Sequence, residues 1–321
     1  MGSSLSKLID TGIGTFFFNI FSISNLDFKT KTFTKLLSLD GQMIILNYNN
    51  TGLSILELGH RTTTFQAVMD EAQALLKELM HLDADHEVMF LHGGASTQFM
   101  QVPMNLLDDK ETAAYADTGV WSSKAIKEAR LFGKAEMVCS GKESNYTIIP
   151  KDFAVPNDSK YFHITTNNTI YGSQWQKIPK TSVPLVADMS SDIFSRVDDF
   201  NAYDLIYAGA QKNMGPAGVN LLVVNKNILG KIKRPIPTIM DYRNHIKEGS
   251  MLNTPPVFAV YVCMLTLRWL KEMGGVAEVE KLNIEKTVIH TMMKTARIGS
   301  TDHTTMMDPA MATTSGMTLK E

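Results

Sequence analysis

The feature that most constrains the fold is a regular alternation of helical and strand patterns over residues 65–224. In the first helical pattern, Val68, Ala72 and Leu76 recur on one face, as in an amphipathic helix packed on a core. Helical patterns cover 65–81, 96–107 and 122–132, and strand patterns cover 87–91, 111–119, 135–139, 161–165, 185–189, 205–207 and 218–224. Strands that alternate with helices predict an α/β fold with a mostly parallel central sheet flanked by helices.

Charge, hydropathy and cysteine content exclude several classes of protein. A formal net charge of -2 and a pI near 6.5 offer no positive surface for nucleic acid or an anionic membrane. No run of about 18 apolar residues is present, so no transmembrane helix is predicted. Cys139 and Cys263 are the only cysteines, and they predict neither a disulfide framework nor a metal cluster. They fit a reducing compartment, and we expect a cytoplasmic protein; an organelle is the alternative, because residues 28–37 lack acidic groups as transit peptides do.

Two loops that follow predicted strands carry side chains suited to a binding site, because α/β sheets bind ligands beyond the carboxyl ends of their strands. The loop Gly93-Gly94-Ala95-Ser96 leads into a helix whose free N–H groups favour an anion, although a plain strand-to-helix turn looks much the same. Asp188 stands at the end of an apolar strand, where a carboxylate requires a partner. A helix cap is the other interpretation of Asp188.

A third loop places Lys212 among small residues directly after a strand, in Gly209-Ala210-Gln211-Lys212-Asn213. A lysine is usually a solvated surface charge. A lysine among small residues suggests that another group packs against it. Desolvation then lowers the pKa of the amine and makes it nucleophilic enough to form an imine. An anion-binding loop, a strand-end carboxylate and such a lysine are the three parts that a pyridoxal phosphate site requires.

Several longer motifs follow one family pattern: 51–57 with Gly59-His60-Arg61, 93–99, 166–172, 187–196, 207–218 and Asn253-Thr254-Pro255-Pro256. These motifs resemble those of the phosphoserine aminotransferases, which belong to the class V group of fold-type I aminotransferases. The similarity runs nearly continuously from about residue 47 to about residue 290. The resemblance implies a fold-type I large domain that binds pyridoxal 5'-phosphate, and a transaminase activity.

The resemblance also assigns cofactor contacts by position. Lys212 matches the lysine that bonds to the cofactor and then moves the substrate α-proton, and Asp188 matches the partner of the ring nitrogen. Trp121 matches the aromatic side chain stacked on the cofactor ring, although without the match core packing would be the better interpretation. Phosphate or ring-hydroxyl contacts are implied for Ala95, Ser96, Gln211 and Thr169, and, from the other subunit of a homodimer with shared active sites, for Asn253 and Thr254.

The implied substrates share a distal acidic group. His60 and Arg61 match a pair that binds this group, and a planar guanidinium suits phosphate and carboxylate alike. The implied reaction transfers the amino group between L-glutamate and 3-phosphohydroxypyruvate, giving O-phospho-L-serine and 2-oxoglutarate in serine biosynthesis. Whether the chain also acts on the phosphorylated threonine precursor of pyridoxine stays open. No metal, nucleic acid or membrane is expected as a partner.

Both ends of the chain depart from the family pattern. Nothing in residues 1–48 resembles the family's opening segment rich in Asn, Gly and Pro, and the likeness fades after Lys286. Relatives carry a C-terminal arginine that grips the substrate α-carboxylate, whereas the surroundings of Arg297 do not match. We therefore predict a divergent segment over 1–46, a cofactor-binding large domain over 47–270 and an incomplete small domain with a tail over 271–321.

Two interpretations remain beside an active phosphoserine aminotransferase. Without the α-carboxylate clamp, the chain would be a catalytically impaired homologue that binds pyridoxal phosphate or only a partner, because the amino acid would not be oriented for reaction. Alternatively, the same scaffold would serve another lysine-imine enzyme, such as a lyase, a desulfurase or a different transaminase. A desulfurase needs a cysteine in a mobile loop, and neither Cys139 nor Cys263 lies in an obvious one.

Overall fold

The computed structural model describes residues 47–286 and shows one large sheet with helices on both faces. Its helices are α1 (Thr63–Leu79), α2 (Gly94–Leu106), α3 (Val120–Ala129), α4 (Ala210–Asn213), α5 (Tyr242–Lys247) and α6 (Val257–Glu272), and another helix covers 276–286. Its strands are β1 (His86–Leu91), β2 (Thr112–Asp117), β3 (Lys134–Ser140), β4 (Phe162–Thr165), β5 (Asn167–Asn168), β6 (Ser173–Gln174), β7 (Leu185–Asp188), β8 (Leu205–Gly209) and β9 (Asn220–Asn225). Single 3-10 turns lie at Tyr48–Asn50, Lys142–Ser144, Phe200–Ala202, Lys226–Ile228 and Thr238–Met240.

The large sheet has seven strands in the order β1-β9-β8-β7-β4-β2-β3. The pairs from β8 to β3 are parallel, whereas β9 runs antiparallel to both β8 and β1. The expected α/β fold with a mostly parallel sheet is therefore confirmed. Outside this sheet, β5 and β6 form a short antiparallel hairpin.

Both faces of the sheet are buried, which explains why its central strands read as continuous apolar runs. Every residue of β7 and β8 is buried. Helices α1 and α6 supply one hydrophobic cluster, in which Phe65 and Met264 share the core with Phe162 of β4. The opposite cluster is supplied by α2, α3 and α5. The sheet is thus the middle of three layers, and its polar loops are left at the strand ends.

Local capping explains why two helices begin earlier than the apolar patterns indicate. Helix α1 begins at Thr63 because the side chain of Thr62 accepts a hydrogen bond from the backbone N–H of Phe65 at 3.3 Å. Helix α2 begins at Gly94 because the left-handed Gly93, with φ of 82°, turns the chain directly out of β1. The second of these starts bears on function, since it lies in the predicted anion-binding loop.

The chain divides into two compact units after Glu280. The labelled elements all lie in the first unit, and the described part of the second, 281–286, is helical. The predicted segment 1–46 and Arg297 lie outside the described residues, and the boundaries predicted at 46 and 270 stay predictions. Within residues 47–286, no helix combines the length and the apolar character needed to cross a membrane.

A buried hydrogen-bonded cluster lies on the sheet face that α2 and α3 cover. Nε2 of His163 lies 2.9 Å from the hydroxyl oxygen of Tyr207, and the hydroxyls of Tyr115 and Tyr161 lie 2.6 Å apart. The rings of His163 and Tyr115 stack with centroids 4.9 Å apart. Complete burial lowers the pKa of His163 to about 3. We conclude that His163 is a neutral ring in the folded protein near pH 7.

We expect His163 to make the free energy of unfolding fall as the pH is lowered below 6.5. The unfolded chain binds a proton at this ring near pH 6.5, whereas the folded protein does so only near pH 3, so acid favours the unfolded state by up to about 1.4 kcal/mol per pH unit. Urea unfolding between pH 7 and pH 5 should give a shallower pH dependence for His163→Gln than for the unmodified chain. Equal slopes would contradict the assignment.

Candidate active site

The carboxyl ends of β1, β2, β7 and β8 lie at one edge of the sheet. The last residues of these strands are Leu91, Asp117, Asp188 and Gly209, and the register pairs both Leu91 and Gly209 with Asn220. The three loops singled out from the sequence follow β1, β7 and β8, and the turn that carries Trp121 follows β2. The sheet therefore brings the predicted loops to the same edge.

Asp188 is a buried carboxylate at the end of β7, only 4% exposed. Its Oδ1 accepts a hydrogen bond from the backbone N–H of Ser190 at 3.0 Å. Burial raises the pKa of Asp188, while hydrogen bonds from Ser190 and the charge of Lys212 act in the opposite direction. Such a carboxylate is suited to hold a cationic group inside the site, because a buried charge is stable only beside an opposite one.

Lys212 lies in α4, a single helical turn that directly follows β8. Its Nζ donates a hydrogen bond to Oγ1 of Thr169 at 3.3 Å and lies 6.0 Å from the centroid of the Trp121 ring. Desolvation lowers the pKa of Lys212, whereas Asp188 and Asp192 raise it. The structure thus brings Lys212, Thr169, Trp121 and Asp188 together, with an amine that is partly withdrawn from water.

Trp121 stands in the first turn of α3, where it is half-buried rather than part of the closed core. Its indole Nε1 is buried and has no hydrogen-bond partner within the described residues. Lys124, one turn further along α3, places Nζ 4.5 Å from the ring centroid, within the range of a cation–π contact. The ring therefore packs on the apolar core and also lies near the amine of Lys212, a position that core packing alone does not require.

The predicted anion-binding loop forms the start of α2. Gly93 and Gly94 have φ of 82° and 62°, and a Cβ added to Gly93 would lie 1.9 Å from Oγ1 of Thr97. Only glycine fits the first position, since the turn folds back against the helix it starts. Ala95 and Ser96 lie in the first turn of α2, whose N–H groups have no acceptor inside the helix. This turn offers an anion both donors and the positive end of the helix dipole.

The remaining sequence-predicted residues lie in neighbouring loops. Gln211 packs against Gly209, where an added Cβ would lie 2.7 Å from the side-chain Oε1 of Gln211. Asn253 and Thr254 lie in the loop before α6, and the backbone of Thr254 is hydrogen-bonded to the ring of His92, which leads into the anion-binding loop.

His60 and Arg61, the predicted pair for the distal acidic group, stand in the turn before α1. Within residues 47–286, no hydrogen bond or ion pair joins them to Lys212 or Asp188. Nε2 of His60 is buried without a hydrogen-bond partner among these residues. An orphaned ring nitrogen beside an exposed guanidinium is suited to an acidic ligand, and the role of the pair stays a prediction.

Sequence reasoning did not single out Asp192, a second carboxylate in this region. Asp192 is 7% exposed and accepts hydrogen bonds from Thr166 Oγ1 at 2.5 Å and from Gln174 Nε2 at 3.1 Å. Burial raises the pKa of Asp192 to about 6. After Asp188, it is the second charge that raises the pKa of Lys212. The available sequence signal was an acidic residue directly before the apolar pair Ile193-Phe194.

Comparison with known proteins agrees with this site. Residues 39–320 match the family model described as aminotransferase class-V. A phosphoserine aminotransferase from Flavobacterium johnsoniae is 57% identical over 243 residues, which cover 75% of this chain and 68% of that enzyme. The solved phosphoserine aminotransferase from Bacillus circulans is 42% identical with a TM-score of 0.75, over 78% of this chain and 70% of that chain. The PLP-bound phosphoserine aminotransferase from Trichomonas vaginalis is 32% identical with a TM-score of 0.73, over 78% of this chain and 71% of that chain.

These likenesses decide between the three interpretations of the sequence. Curated relatives from 57% down to 51% identity bear the same name, so neither an impaired homologue nor another lysine-imine enzyme is favoured. The structural likeness confirms the fold-type I architecture. The chain belongs to the class V aminotransferase family and, within it, to the phosphoserine aminotransferases.

Proposed function

We propose that the protein is a pyridoxal-phosphate-dependent transaminase of serine biosynthesis. It transfers the amino group between L-glutamate and 3-phosphohydroxypyruvate, giving O-phospho-L-serine and 2-oxoglutarate. The observation that carries this proposal is the grouping of Lys212 with Thr169, Trp121 and Asp188 at the carboxyl edge of the sheet, in a chain of this family.

The described residues fit pyridoxal phosphate. A phosphate requires several donors at a turn that lets it approach the backbone, and the start of α2 offers this with Gly93 in the left-handed region. A protonated ring nitrogen requires a carboxylate shielded from water, which is the setting of Asp188. The planar ring requires an aromatic partner and the aldehyde an amine, and Trp121 and Lys212 supply them side by side.

Each cofactor group has a proposed holder in this chain. Lys212 would hold the cofactor covalently through Nζ, Asp188 would keep its ring nitrogen protonated, and Trp121 would stack on the ring and exclude water. The bound cofactor supplies a carbon that carries the amino group and a conjugated ring that spreads negative charge. The ring hydroxyl and the phosphate would be held by Thr169, by Ala95, Ser96 and Gln211, and by Asn253 and Thr254 of a second subunit.

Lys212 performs the proton transfer in the proposed reaction. Desolvation lowers the pKa of its amine, so that the neutral, basic form is more accessible near pH 7 than in a surface lysine. Nζ would accept the proton from the substrate α-carbon and deliver it to the cofactor carbon that keeps the amino group, so that the substrate leaves as its 2-oxo acid. Asp188 and Asp192 stabilise the amine while it carries the proton, since both charges raise its pKa.

One pocket serves both substrates in this proposal, because L-glutamate and 3-phosphohydroxypyruvate both end in an acidic group. His60 and Arg61 would bind that end. The guanidinium of Arg61 can pair with two oxygens of a carboxylate or a phosphate at once, which suits a site that accepts both. Nε2 of His60 is buried and has no hydrogen-bond partner among residues 47–286, and this supports the assignment, since a buried ring nitrogen without a partner is costly.

A homodimer in the cytoplasm completes the proposal. Ile170, directly after Thr169, is 62% exposed, and Phe258, shortly after Thr254, is 38% exposed. Apolar side chains exposed beside the proposed cofactor residues support a subunit contact there. The cysteines Cys139 and Cys263 are both free thiols, which supports a reducing compartment.

The proposal is tested by following the two half-reactions separately. Purified protein loaded with pyridoxal phosphate is mixed with L-glutamate, and its visible absorbance and the released acid are measured. We expect a loss of the original band with formation of 2-oxoglutarate, and then recovery of the band with formation of O-phospho-L-serine when 3-phosphohydroxypyruvate is added. L-Alanine, which lacks the distal acidic group, is the control donor. A loaded protein that releases no 2-oxoglutarate would overturn the proposal.

A further inference from the structure

Asp117, the last residue of β2, is a buried carboxylate held by hydroxyl groups. It is 5% exposed; its Oδ1 accepts a hydrogen bond from Ser123 at 2.7 Å, and its Oδ2 accepts from Ser140 at 2.9 Å and Tyr146 at 3.1 Å. The hydroxyl of Ser122 lies 3.2 Å from Oδ1 and shares its proton with the backbone oxygen of Gly119 at 2.8 Å. No ion pair to Asp117 is present within residues 47–286. The two oxygens of a carboxylate offer several acceptor positions, so that one side chain can hold several hydroxyl groups. Asp117 therefore anchors several segments at once.

The first of these segments carries Trp121. Ser122 and Ser123 directly follow Trp121 in the first turn of α3. The hydroxyl oxygen of Ser122 also accepts the backbone N–H groups of Thr118 and Gly119, at 2.9 Å each. The chain between the end of β2 and the start of α3 is thus tied to Asp117 along its whole length, which fixes the turn from which the indole ring projects.

The second segment carries Thr169. Tyr146, which donates its hydroxyl to Asp117, packs its ring against that of Tyr171 with centroids 4.9 Å apart. Tyr171 lies two residues after Thr169, in the turn between β5 and β6. Asp117 therefore reaches the loop of Thr169 through a single tyrosine.

A direct contact joins the two segments as well. Oγ1 of Thr118 donates to Oδ1 of Asn168 at 3.2 Å, and a Cβ added to Gly119 would lie 2.9 Å from the same oxygen. The turn before α3 therefore packs closely against the hairpin of β5 and β6 and leaves no room for a side chain at Gly119. A change in the position of one segment is expected to move the other.

We propose that Asp117 is a positioning residue of the cofactor site, which holds Trp121 and Thr169 in the arrangement that both adopt around Lys212. The inference rests on the proposed function, in which these two side chains bind pyridoxal phosphate. Nζ of Lys212 lies 3.3 Å from the Thr169 hydroxyl and 6.0 Å from the Trp121 ring centroid. A small shift of either segment changes this spacing, although Asp117 has no hydrogen bond to Lys212 within the described residues.

Three substitutions test separately how Asp117 holds the segment of Trp121 and the hairpin segment of Thr169. Asp117→Asn keeps the size of the side chain but replaces one acceptor oxygen by a donor, so that the hydroxyl groups on that side can no longer donate to it. Ser123→Ala removes the 2.7 Å bond on the Trp121 side, and Tyr146→Phe removes the 3.1 Å bond on the hairpin side while keeping the ring contact with Tyr171. Asp204→Asn is the matched control, because Oδ2 of Asp204 accepts the backbone N–H of Leu185 at 2.9 Å at the opposite edge of the sheet.

The dissociation constant for pyridoxal phosphate and the induced circular dichroism of the bound chromophore are measured well below the unfolding temperature of each variant. We expect Asp117→Asn to weaken cofactor binding by about tenfold or more and to reduce the induced circular dichroism. Ser123→Ala and Tyr146→Phe should each weaken binding by about threefold. The control should bind as the unmodified chain does. Unchanged binding and dichroism in Asp117→Asn would overturn the inference, whereas an unmodified chain that gives no bound chromophore would overturn the proposed function instead.

Discussion

Replacing Lys212 by alanine is expected to slow amino transfer from L-glutamate by about 10³-fold or more and to remove the visible band of the covalently held cofactor. The reason lies in the double role of Nζ, as the atom that holds the cofactor and as the base that accepts the α-proton. No other amine is placed beside Thr169 in the described residues, where Nζ of Lys212 donates its hydrogen bond. Single-turnover mixing with L-glutamate, read by absorbance and by 2-oxoglutarate, measures both effects.

A matched control and a rescue make this experiment specific. Lys226→Ala removes a lysine whose Nζ donates to the backbone oxygen of Ala84 at 2.9 Å, at the opposite edge of the sheet, and should leave the rate unchanged. A small amine added to Lys212→Ala should restore part of the proton transfer, because it replaces the missing base. A Lys212→Ala protein that kept its rate would show that this lysine is only a charge at the protein surface.

The fold was largely predictable because its strands are short apolar runs with polar or glycine-rich ends. The pattern over 185–189 predicted β7, which the structure ends at Asp188, and the pattern over 205–207 predicted β8, which continues to Gly209. Helix α6 was not predictable in this way, since apolar side chains occupy most of its faces and leave no clear period. The hairpin of β5 and β6 has strands of two residues, too short to show an alternation.

The sequence likewise predicted some residues of the candidate site and missed others. An amine in a run of small residues predicts desolvation, and the structure gives Lys212 a lowered pKa through burial. Family motifs supplied Trp121 and Thr169, which local patterns do not mark. Asp117 and Asp192 escaped both approaches, because the hydrogen bonds that join them to other segments come from Tyr146 and Thr166, which lie 29 and 26 residues away along the chain. Contacts of this kind depend on the tertiary fold and leave no local signature.

Asp188→Asn is expected to lower the rate of amino transfer by about 10²–10³-fold. An asparagine has nearly the same size and keeps an oxygen to accept the backbone N–H of Ser190, which the aspartate binds at 3.0 Å. What it lacks is the negative charge that keeps the cofactor ring nitrogen protonated in the proposed function. The loss should therefore appear in the turnover rate with L-glutamate, and the proton transfer by Lys212 should suffer with it.

The same substitution should leave the cofactor-free protein at least as stable near neutral pH as the unmodified chain. Burial raises the pKa of Asp188, so the folded protein binds a proton at this carboxylate more readily than the unfolded chain does. Protonation of Asp188 therefore increases the free energy of unfolding of the unmodified chain as the pH falls through the raised pKa. This contribution is lost when the pH rises towards 7. Asparagine removes both the charge and this pH dependence.

Activity and stability are thus expected to change in opposite directions, which separates a functional carboxylate from a structural one. Asp204→Ala provides the comparison, because it removes the Oδ2 that accepts the backbone N–H of Leu185, and the loss of this bond should lower the melting temperature while leaving turnover intact. Thermal unfolding of the cofactor-free proteins and turnover of the loaded proteins decide the matter. If Asp188→Asn lowered the melting temperature as Asp204→Ala does and kept its turnover, Asp188 would be a structural cap of the loop after β7, because the loss of a purely structural carboxylate destabilises the fold and leaves the reaction rate unchanged.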